Sequence, residues 1–414
     1  MLRLNTPGFF LGCFFFHLEI SENILVILTG GFPVFKLTTG QKDAIRKAIE
    51  WYFSPDKKPI FTLFGSAGTG KSSTANTVVS MLGLSPYQVL MVAPTGKAAS
   101  VLRSKGNIAN TIHSTFYHIL QLPEMKKPCF VKKKSMPNTI KLILIDEFSM
   151  VNAKMCKDIE SFGIPVLALG DPGQLPPMYS KNPYMDHPDV FLEEVMRQDG
   201  ESGILQLATM ARKGIDIDYG TYRESRVIHF SELKDIEKYD MVLTWSNSTR
   251  KEINQLIRKK LGLTSIYPIK GEKLMCLKNN YYHTIDLGDD LVLNPVNGLN
   301  LFSLNDSETV GSSLHMDYAP DWVKNKAFST RVSKIPFDAY KTMEDYEDTL
   351  MDNVEDDEVV LDFGYSCTCH KSQGSSWPNV LVLDEYRGAH SEYPNWLYTS
   401  LTRGEKSVTL CRMT

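Results

Sequence analysis

The chain has 414 residues, enough for two or three domains with cores of their own, and its composition (43% hydrophobic, 22% charged) is that of a soluble globular protein. A formal net charge of −3 excludes a polycation that grips nucleic acid by bulk attraction, so any such contact must be local, in a groove. Seven scattered cysteines with no C-x-x-C pair argue against a disulfide framework and for a reducing compartment.

Residues 1–36 form an apolar extension of unknown role. Its runs are broken by His17, Glu19 and Glu22, so no uninterrupted membrane span exists. An apolar core at 8–16 lacks the small-residue cleavage site of a signal peptide. A targeting or membrane segment, a strand-like extension and a mis-assigned start codon all stay open; a start near Val34 would remove the oddity.

From Leu37 the pattern is regular. "LTTGQKDAIRKAIEWYF" has Ala44, Ile45, Ala48, Ile49 and Tyr52 at helical spacing, with Thr38 or Thr39 as the cap. Residues 59–65 read as a buried strand, 71–82 as a helix, 87–95 as strand and loop, and 98–106 as a helix. Strands at 140–151 and 164–171 end in acids. The stretch 238–262 repeats strand, polar loop and amphipathic helix, with Ile253, Leu256, Ile257 and Leu261 on one face and the basic residues on the other. Further strands fall at 379–385 and 407–413. This alternation predicts an α/β fold of parallel sheets whose ligands sit at the carboxyl ends of the strands.

The expected division is a first domain over 37–200, with an insert at about 114–139, and a second domain made of 201–268 plus 359–414. Residues 269–358 form an inserted small β domain that ends in the acidic run 344–358, a solvated loop on the plain reading. The first insert carries "MKKPCFVKKKSM", either a solvated basic loop or a hairpin facing nucleic acid.

"GSAGTGKSS" (65–73) follows a strand and opens a helix, as a phosphate-binding loop must. Gly65, Gly68, Thr69 and Gly70 shape it and, with Lys71, Ser72 and Ser73, hold the phosphates of ATP. Lys71 reaches the β/γ-phosphates, and Ser72 ligates Mg²⁺. In "LILIDE" (142–147), Asp146 is placed to hold Mg²⁺ at the strand end and Glu147 to orient and deprotonate the attacking water. Taken alone, "CTCHKSQGSS" leans toward metal, because Cys367, Cys369 and His370 lie within four positions.

Beyond the phosphate loop, the chain resembles the superfamily 1 helicases, in particular their RecD-like, Dda-like branch. The resemblance runs from Leu37 to about Leu410. "LTTGQ" (37–41) resembles the adenine motif, with Gln41 on the base. "APTGKAA" (93–99) and "NTIHS" (110–114) resemble motifs Ia and Ib, which contact single-stranded DNA; these carry Pro94, Thr95, Thr111 and His113. "LGDPGQLPP" (169–177) resembles motif III, with Gln174 sensing the γ-phosphate. "EEVMRQ" (193–198) and "LYTSLTRG" (397–404) resemble motifs IV and VI, with Arg197 and Arg403 at the γ-phosphate.

The cysteine cluster then resembles motif V rather than a metal site. Thr368 and His370 touch the DNA backbone, and Gln373 and Gly374 link that contact to the nucleotide. Strand alternation would place Cys367 and Cys369 together on a buried face.

The resemblance implies two RecA-like P-loop domains with ATP and Mg²⁺ in the cleft between them. It further implies a hairpin pin in the first, with Phe116 or Phe130 as a stacking aromatic, and an SH3-like barrel in the second, entered through "KGEKLMCLKNN" (270–280). The implied activity is an ATP-dependent 5′-to-3′ DNA helicase in replication, recombination or repair. Expected partners are single-stranded DNA, forked or tailed duplexes, and a single-strand-binding protein or replisome component. The protein is expected to act as a monomer in the cytoplasm of a bacterial or phage-infected cell, without a membrane. An RNA helicase and a single-strand-binding ATPase or recombination mediator are the alternatives; a small-molecule kinase would leave motifs III and V without purpose.

Overall fold

A computed structural model of the chain describes residues 37–104, 106–120, 129–177, 180–194, 202–277, 285–286, 292–293, 299–320, 328–342, 354 and 358–413. The N-terminal extension, Arg197, residues 121–128 of the first insert and most of the acidic run 344–358 lie outside the described residues.

The chain begins with α1 (Thr39–Phe53), β1 (Ile60–Gly65), α2 (Lys71–Met81), β2 (Val89–Ala93), α3 (Gly96–Ser104), β3 (Ala109–Thr111), α4 (Ile112–Phe116) and a hairpin of β4 (Tyr117–Leu120) and β5 (Cys129–Lys132). It continues with β6 (Leu142–Ile145), α5 (Ala153–Glu160), β7 (Val166–Gly170), β8 (Val190–Leu192), α6 (Gly203–Arg212), β9 (Gly220–Tyr222), β10 (Ser225–His229), β11 (Met241–Thr244), α7 (Asn247–Lys260) and β12 (Lys273–Cys276). Short strands follow: β13 (Ile285–Asp286), β14 (Val292–Leu293), β15 (Leu299–Ser303), β16 (Glu308–Val310), β17 (Ser313–Pro320) and β18 (Phe328–Ser333). The last elements are α8 (Ile335–Thr342), β19 (Leu361–Phe363), β20 (Ser366–Thr368), α9 (Cys369–Ser372), β21 (Trp377–Asp384), α10 (Tyr393–Leu401) and β22 (Gly404–Arg412).

Two compact units emerge. The first takes the described residues up to Val92, Lys134–Pro172 and Tyr179–Arg197; the second takes Ala93–Lys133, Gly173–Met178 and Gln198–Thr414. In the first, neighbouring strands run β2-β6-β7-β1-β8, all parallel. These strands are apolar along almost their whole length because helices cover both faces of a parallel sheet. Ile60, Leu63, Phe64, Leu142, Ile143, Ile145 and Val166 are fully buried. Thr38 caps α1: its Oγ1 accepts from the Gln41 N–H while the Gln41 carboxamide accepts from the Thr38 N–H, a reciprocal box.

In the second unit the order is β20-β11-β21-β22-β10-β9, parallel but for the β9–β10 pair. Strands of the inserted segment and β19, which follows it, form an antiparallel sheet, β16-β17-β15-β12-β19, with β18 on β17. Trp396, Leu397 and Leu401 of α10 pack with Val380, Val382, Val408 and Leu410 in one core cluster; Val242, Leu274, Leu361 and Phe363 belong to another.

Two expectations need correction. The buried face of α7 is not simply apolar: Leu256 and Leu261 are exposed, whereas Arg250, Lys251 and Arg258 are buried with Ile253 and Ile257. The reason is charge pairing. Arg250 meets Asp362 at 2.5 Å and Arg258 meets Glu272 at 2.7 Å, and a spacing argument cannot anticipate either acid. Likewise, Cys369 does not continue a strand. The strand ends at Thr368 and Cys369 opens α9, yet both cysteines are fully buried.

Candidate nucleotide and nucleic-acid sites

The loop from β1 to α2 is shaped by approaches only glycine allows. A Cβ on Gly65 would lie 2.6 Å from Thr69 Oγ1 and 2.8 Å from the Leu192 carbonyl oxygen, while Gly68 and Gly70 have φ of 79° and 80°. Buried Thr69 donates from Oγ1 to the Ser66 carbonyl at 2.9 Å, which draws the loop tight. No side chain caps α2, so its first-turn amides present the positive end of the helix as an anion cradle. Lys71 Nζ is held over the loop by the carbonyls of Gly65 (2.7 Å) and Ser66 (3.0 Å). Ser72 is half-buried and Ser73 exposed. Gln41, buried, ties α1 to this loop by donating from Nε2 to the Thr69 carbonyl at 3.1 Å.

Past the end of β6, Asp146 and Glu147 are both half-buried. Glu147 has φ 54° and ψ 41°, left-handed for a residue with a Cβ, and donates its N–H to Asp146 Oδ1 at 3.0 Å. Such a conformation costs about 1–3 kcal/mol and collects at functional positions. Ser72 and Asp146 offer hydroxyl and carboxylate oxygens, the hard donors Mg²⁺ prefers. All these groups belong to the first unit.

The chain passes into the second unit between Pro172 and Gly173. The next three residues are stapled down. Asn395 Nδ2 donates to the carbonyls of Gly173 (3.0 Å) and Gln174 (3.2 Å). Thr399 Oγ1 accepts from the Leu175 N–H at 2.9 Å, and Gln373 Nε2 donates to the Leu175 carbonyl at 2.9 Å. Gln174 is buried, and its carboxamide oxygen finds no hydrogen-bond partner among the described residues. Arg403, also buried, donates to the carbonyls of Thr399 (3.0 Å) and Ser375 (3.1 Å) and to Thr402 Oγ1 (3.1 Å), all neutral oxygens.

The candidate strand contacts also fall in the second unit. Half-buried Pro94 and Thr95 precede α3, and Thr95 Oγ1 accepts from the Ala98 N–H at 3.2 Å. Gly374, with φ 73°, lies directly against them: a Cβ there would sit 3.0 Å from Thr95 Oγ1 and 3.2 Å from Ala98 Cβ. Thr111 caps α4 by accepting from the Ser114 N–H at 3.2 Å. The His113 ring lies 5.7 Å from Tyr117 and 4.9 Å from Phe130, centroid to centroid, and burial lowers its pKa. Phe116 is fully buried, a core residue, whereas Phe130 is half-buried on the hairpin. Thr368 closes β20; His370, in α9, has its pKa lowered by burial against a smaller opposing pull from Glu392.

Burial pushes the Cys367 and Cys369 thiols up to about 12. Among the described residues no group of three or more His, Cys, Asp or Glu is arranged to hold a metal. No helix among them is long and apolar enough to cross a membrane.

Sequence reasoning passed over Asn395 and Thr399, which fasten the Gly173–Leu175 segment, and Trp245, just after β11. Its signal was the position: a residue at the carboxyl end of a parallel strand is placed to meet a ligand.

A family model described as an AAA domain matches residues 36–232, and one described as a UvrD-like helicase C-terminal domain matches residues 363–411. The chain is 28% identical over 273 residues to the ATP-dependent DNA helicase dda of Enterobacteria phage T4, covering 57% of this chain and 60% of that protein. It is 25% identical over 358 residues to the ATP-dependent RecD2 DNA helicase of Deinococcus radiodurans, covering 83% of this chain and 46% of that one. The chain thus spans less than two thirds of these relatives. Among solved structures, one of forked-duplex unwinding by two coordinating Pif1 helicases aligns over 91% of this chain and 92% of its own, with a TM-score of 0.52 and 18% identity. A Bacteroides Pif1 helicase in complex with ADP-AlF3 and single-stranded DNA aligns over the same shares, with a TM-score of 0.51 and 16% identity. At such identities the likeness establishes the fold alone, an α/β P-loop core built on parallel sheets.

Proposed function

We propose, from the premise that this chain belongs to the superfamily 1 Pif1/Dda/RecD-like helicases, that it is an ATP-driven motor that moves 5′ to 3′ along single-stranded DNA and separates duplexes. The observation that carries the reading is the stapled segment. Gln174 sits buried and short of a donor on a strip fastened to Gln373, Asn395 and Thr399. His370, Gly374 and Arg403 lie within four residues of Gln373 or Thr399 in the chain. A buried acceptor without a partner costs about 1–3 kcal/mol, which suits a group kept for a transient ligand. An enzyme that only transferred phosphate would have no use for this linkage between a nucleotide sensor and candidate strand contacts.

In the proposed cycle, Lys71 and the α2 amides bind the phosphates, Gln41 braces the loop beside the base, and Glu147 takes the proton of the attacking water. A bound Mg²⁺ supplies charge neutralisation at the phosphates, held by Ser72 and Asp146. Arg197 and Arg403 stabilise charge on the γ-phosphoryl group. Pro94, Thr95, Thr111, His113, Thr368 and His370 hold the strand. The segment 269–358, whose strands supply most of the antiparallel sheet, is read as an SH3-like module. A forked or tailed duplex is the substrate, with a single-strand-binding protein or replisome component as partner.

The test is steady-state ATPase with and without single-stranded DNA, at low and high salt, for wild type and Lys71→Ala. Strong stimulation that fades with salt, because phosphate contacts release counterions, together with loss of turnover in Lys71→Ala, is expected. Wild-type turnover in Lys71→Ala would overturn the reading. Stimulation only by a matched RNA would move the substrate to RNA, and binding of a 5′-tailed duplex without strand release would make the protein a mediator.

A further inference from the structure

We propose that Trp245, flanked by His370 and Tyr386, is a stacking platform for a base of the single strand. The inference rests on the motor reading and adds to it how the second unit engages the substrate: through an unpaired base, and not only through phosphates.

The platform is placed by the sheet. Thr244, the last residue of β11, pairs in parallel register with Thr368, the last residue of β20. Trp245 and the α9 turn that carries His370 therefore leave neighbouring strands at the same carboxyl edge, where open α/β sheets take their ligands. The backbone there is pinned by one carboxylate. Glu385 accepts from the N–H groups of Trp245 (3.0 Å) and Ser246 (3.2 Å), and its other oxygen accepts from the Thr249 hydroxyl.

The indole is braced from within the same unit. The Tyr386 ring lies 4.3 Å away, that of buried Trp396 6.3 Å away edge-on, and the Gly388 backbone is so close that a Cβ would come within 3.0 Å of Trp245 Cζ2. The His370 ring stands at 5.6 Å, tilted by 55°. Trp245 itself stays half-buried, although it packs against the core cluster. A large ring held rigid and left partly open loses little conformational freedom when a flat partner lies on it. Every base has a π-face, so such a site tolerates any sequence, as a motor that travels along a strand requires. Burial also keeps His370 neutral, which favours ring contact over phosphate capture.

The experiment compares ATPase stimulation by oligothymidylate and by a matched strand of abasic residues. It reads the ratio of their half-activating concentrations for wild type, W245L and W245F. Because the ratio is formed within one protein, a lower folded fraction cancels. Wild type is expected to need roughly tenfold more abasic strand, from the usual strength of base–aromatic stacking. W245L, apolar but without a ring, should bring the ratio near one, and W245F should keep most of it. An unchanged ratio in W245L, or a wild type that treats both strands alike, would overturn the platform while leaving the motor standing. Should neither strand stimulate wild type, the motor reading fails. Anisotropy with the same two labelled strands then decides the platform: preference for the base-bearing strand supports it, and equal or absent binding overturns it. If neither variant folds, the wild-type ratio alone decides: a marked preference for the base-bearing strand supports the platform, and equal response to both strands overturns it.

Discussion

Gly374 illustrates how one residue can bring together two segments that lie far apart in the chain. Its φ of 73° is a conformation that costs little only without a Cβ, and its α-carbon faces Thr95 and Ala98 at the start of α3. Gly374→Ala is expected to destabilise the protein by about 1–3 kcal/mol. The mutant should also push Thr95 off its capping bond, so the concentration of single strand needed for half-maximal ATPase should rise; thermal unfolding and a strand titration read the two effects. The sequence exposed Gly374 through its motif but not its neighbour, because Thr95 lies far earlier in the chain and no local pattern joins them. The reading of Lys71, Asp146 and Glu147 is of the opposite kind. Phosphate chemistry wants such groups next to a strand end or helix start, so the roles proposed for them rest on local spacing. Trp245 stayed hidden because a lone tryptophan after a strand is as readily a core residue.

At the scale of elements, α7 shows where periodicity fails. Its buried face carries Arg250, whose partner Asp362 also accepts from Tyr340 Oη (2.8 Å) and from the Phe363 N–H (2.7 Å). Arg258 pairs with Glu272 and lies 3.9 Å over the Phe363 ring. The helix is thereby keyed to β19, and to the residue just before β12, by charges that have left water. Removing one partner strands the other, so Asp362→Ala is expected to lose about 3–5 kcal/mol of stability, measured by chemical denaturation. An Arg250→Met, Asp362→Leu double variant should recover only part of it: no charge is left unpaired, but the Tyr340 hydroxyl and the Phe363 N–H lose their acceptor. The strands and helices themselves were readable: apolar runs, glycine turns and capping threonines mark α1, β1, α2, β6 and β7 within a few residues. Pairing order was not, because register between distant strands depends on side chains that meet only in three dimensions.

For the whole molecule, acid is the informative perturbation. His113 and His370 both have pKa values lowered by burial, while in the unfolded chain they titrate near 6.5. Between those values the unfolded chain holds more protons, so stability rises with pH there and falls as pH drops below about 6.5. The midpoint of thermal unfolding should therefore decline from pH 7 to pH 5.5. The decline should be smaller in a His113→Asn, His370→Asn variant; an identical slope would show that neither histidine is buried neutral. Asp43 and Glu224, whose pKa values are lowered, act in a separate window below the ordinary carboxylate range.

The discontinuity of the second unit also sets an order of events during synthesis. Leu175 belongs to a core whose other members run from Ile204 to Leu410, and β22, between β21 and β10, is an interior strand of that sheet. A ribosome releases Leu175 long before those partners exist. Its apolar side chain must wait in water until β21 and β22 emerge and complete that sheet. The second unit therefore closes its core late, and its nascent form is a natural client for a chaperone that shields apolar surface.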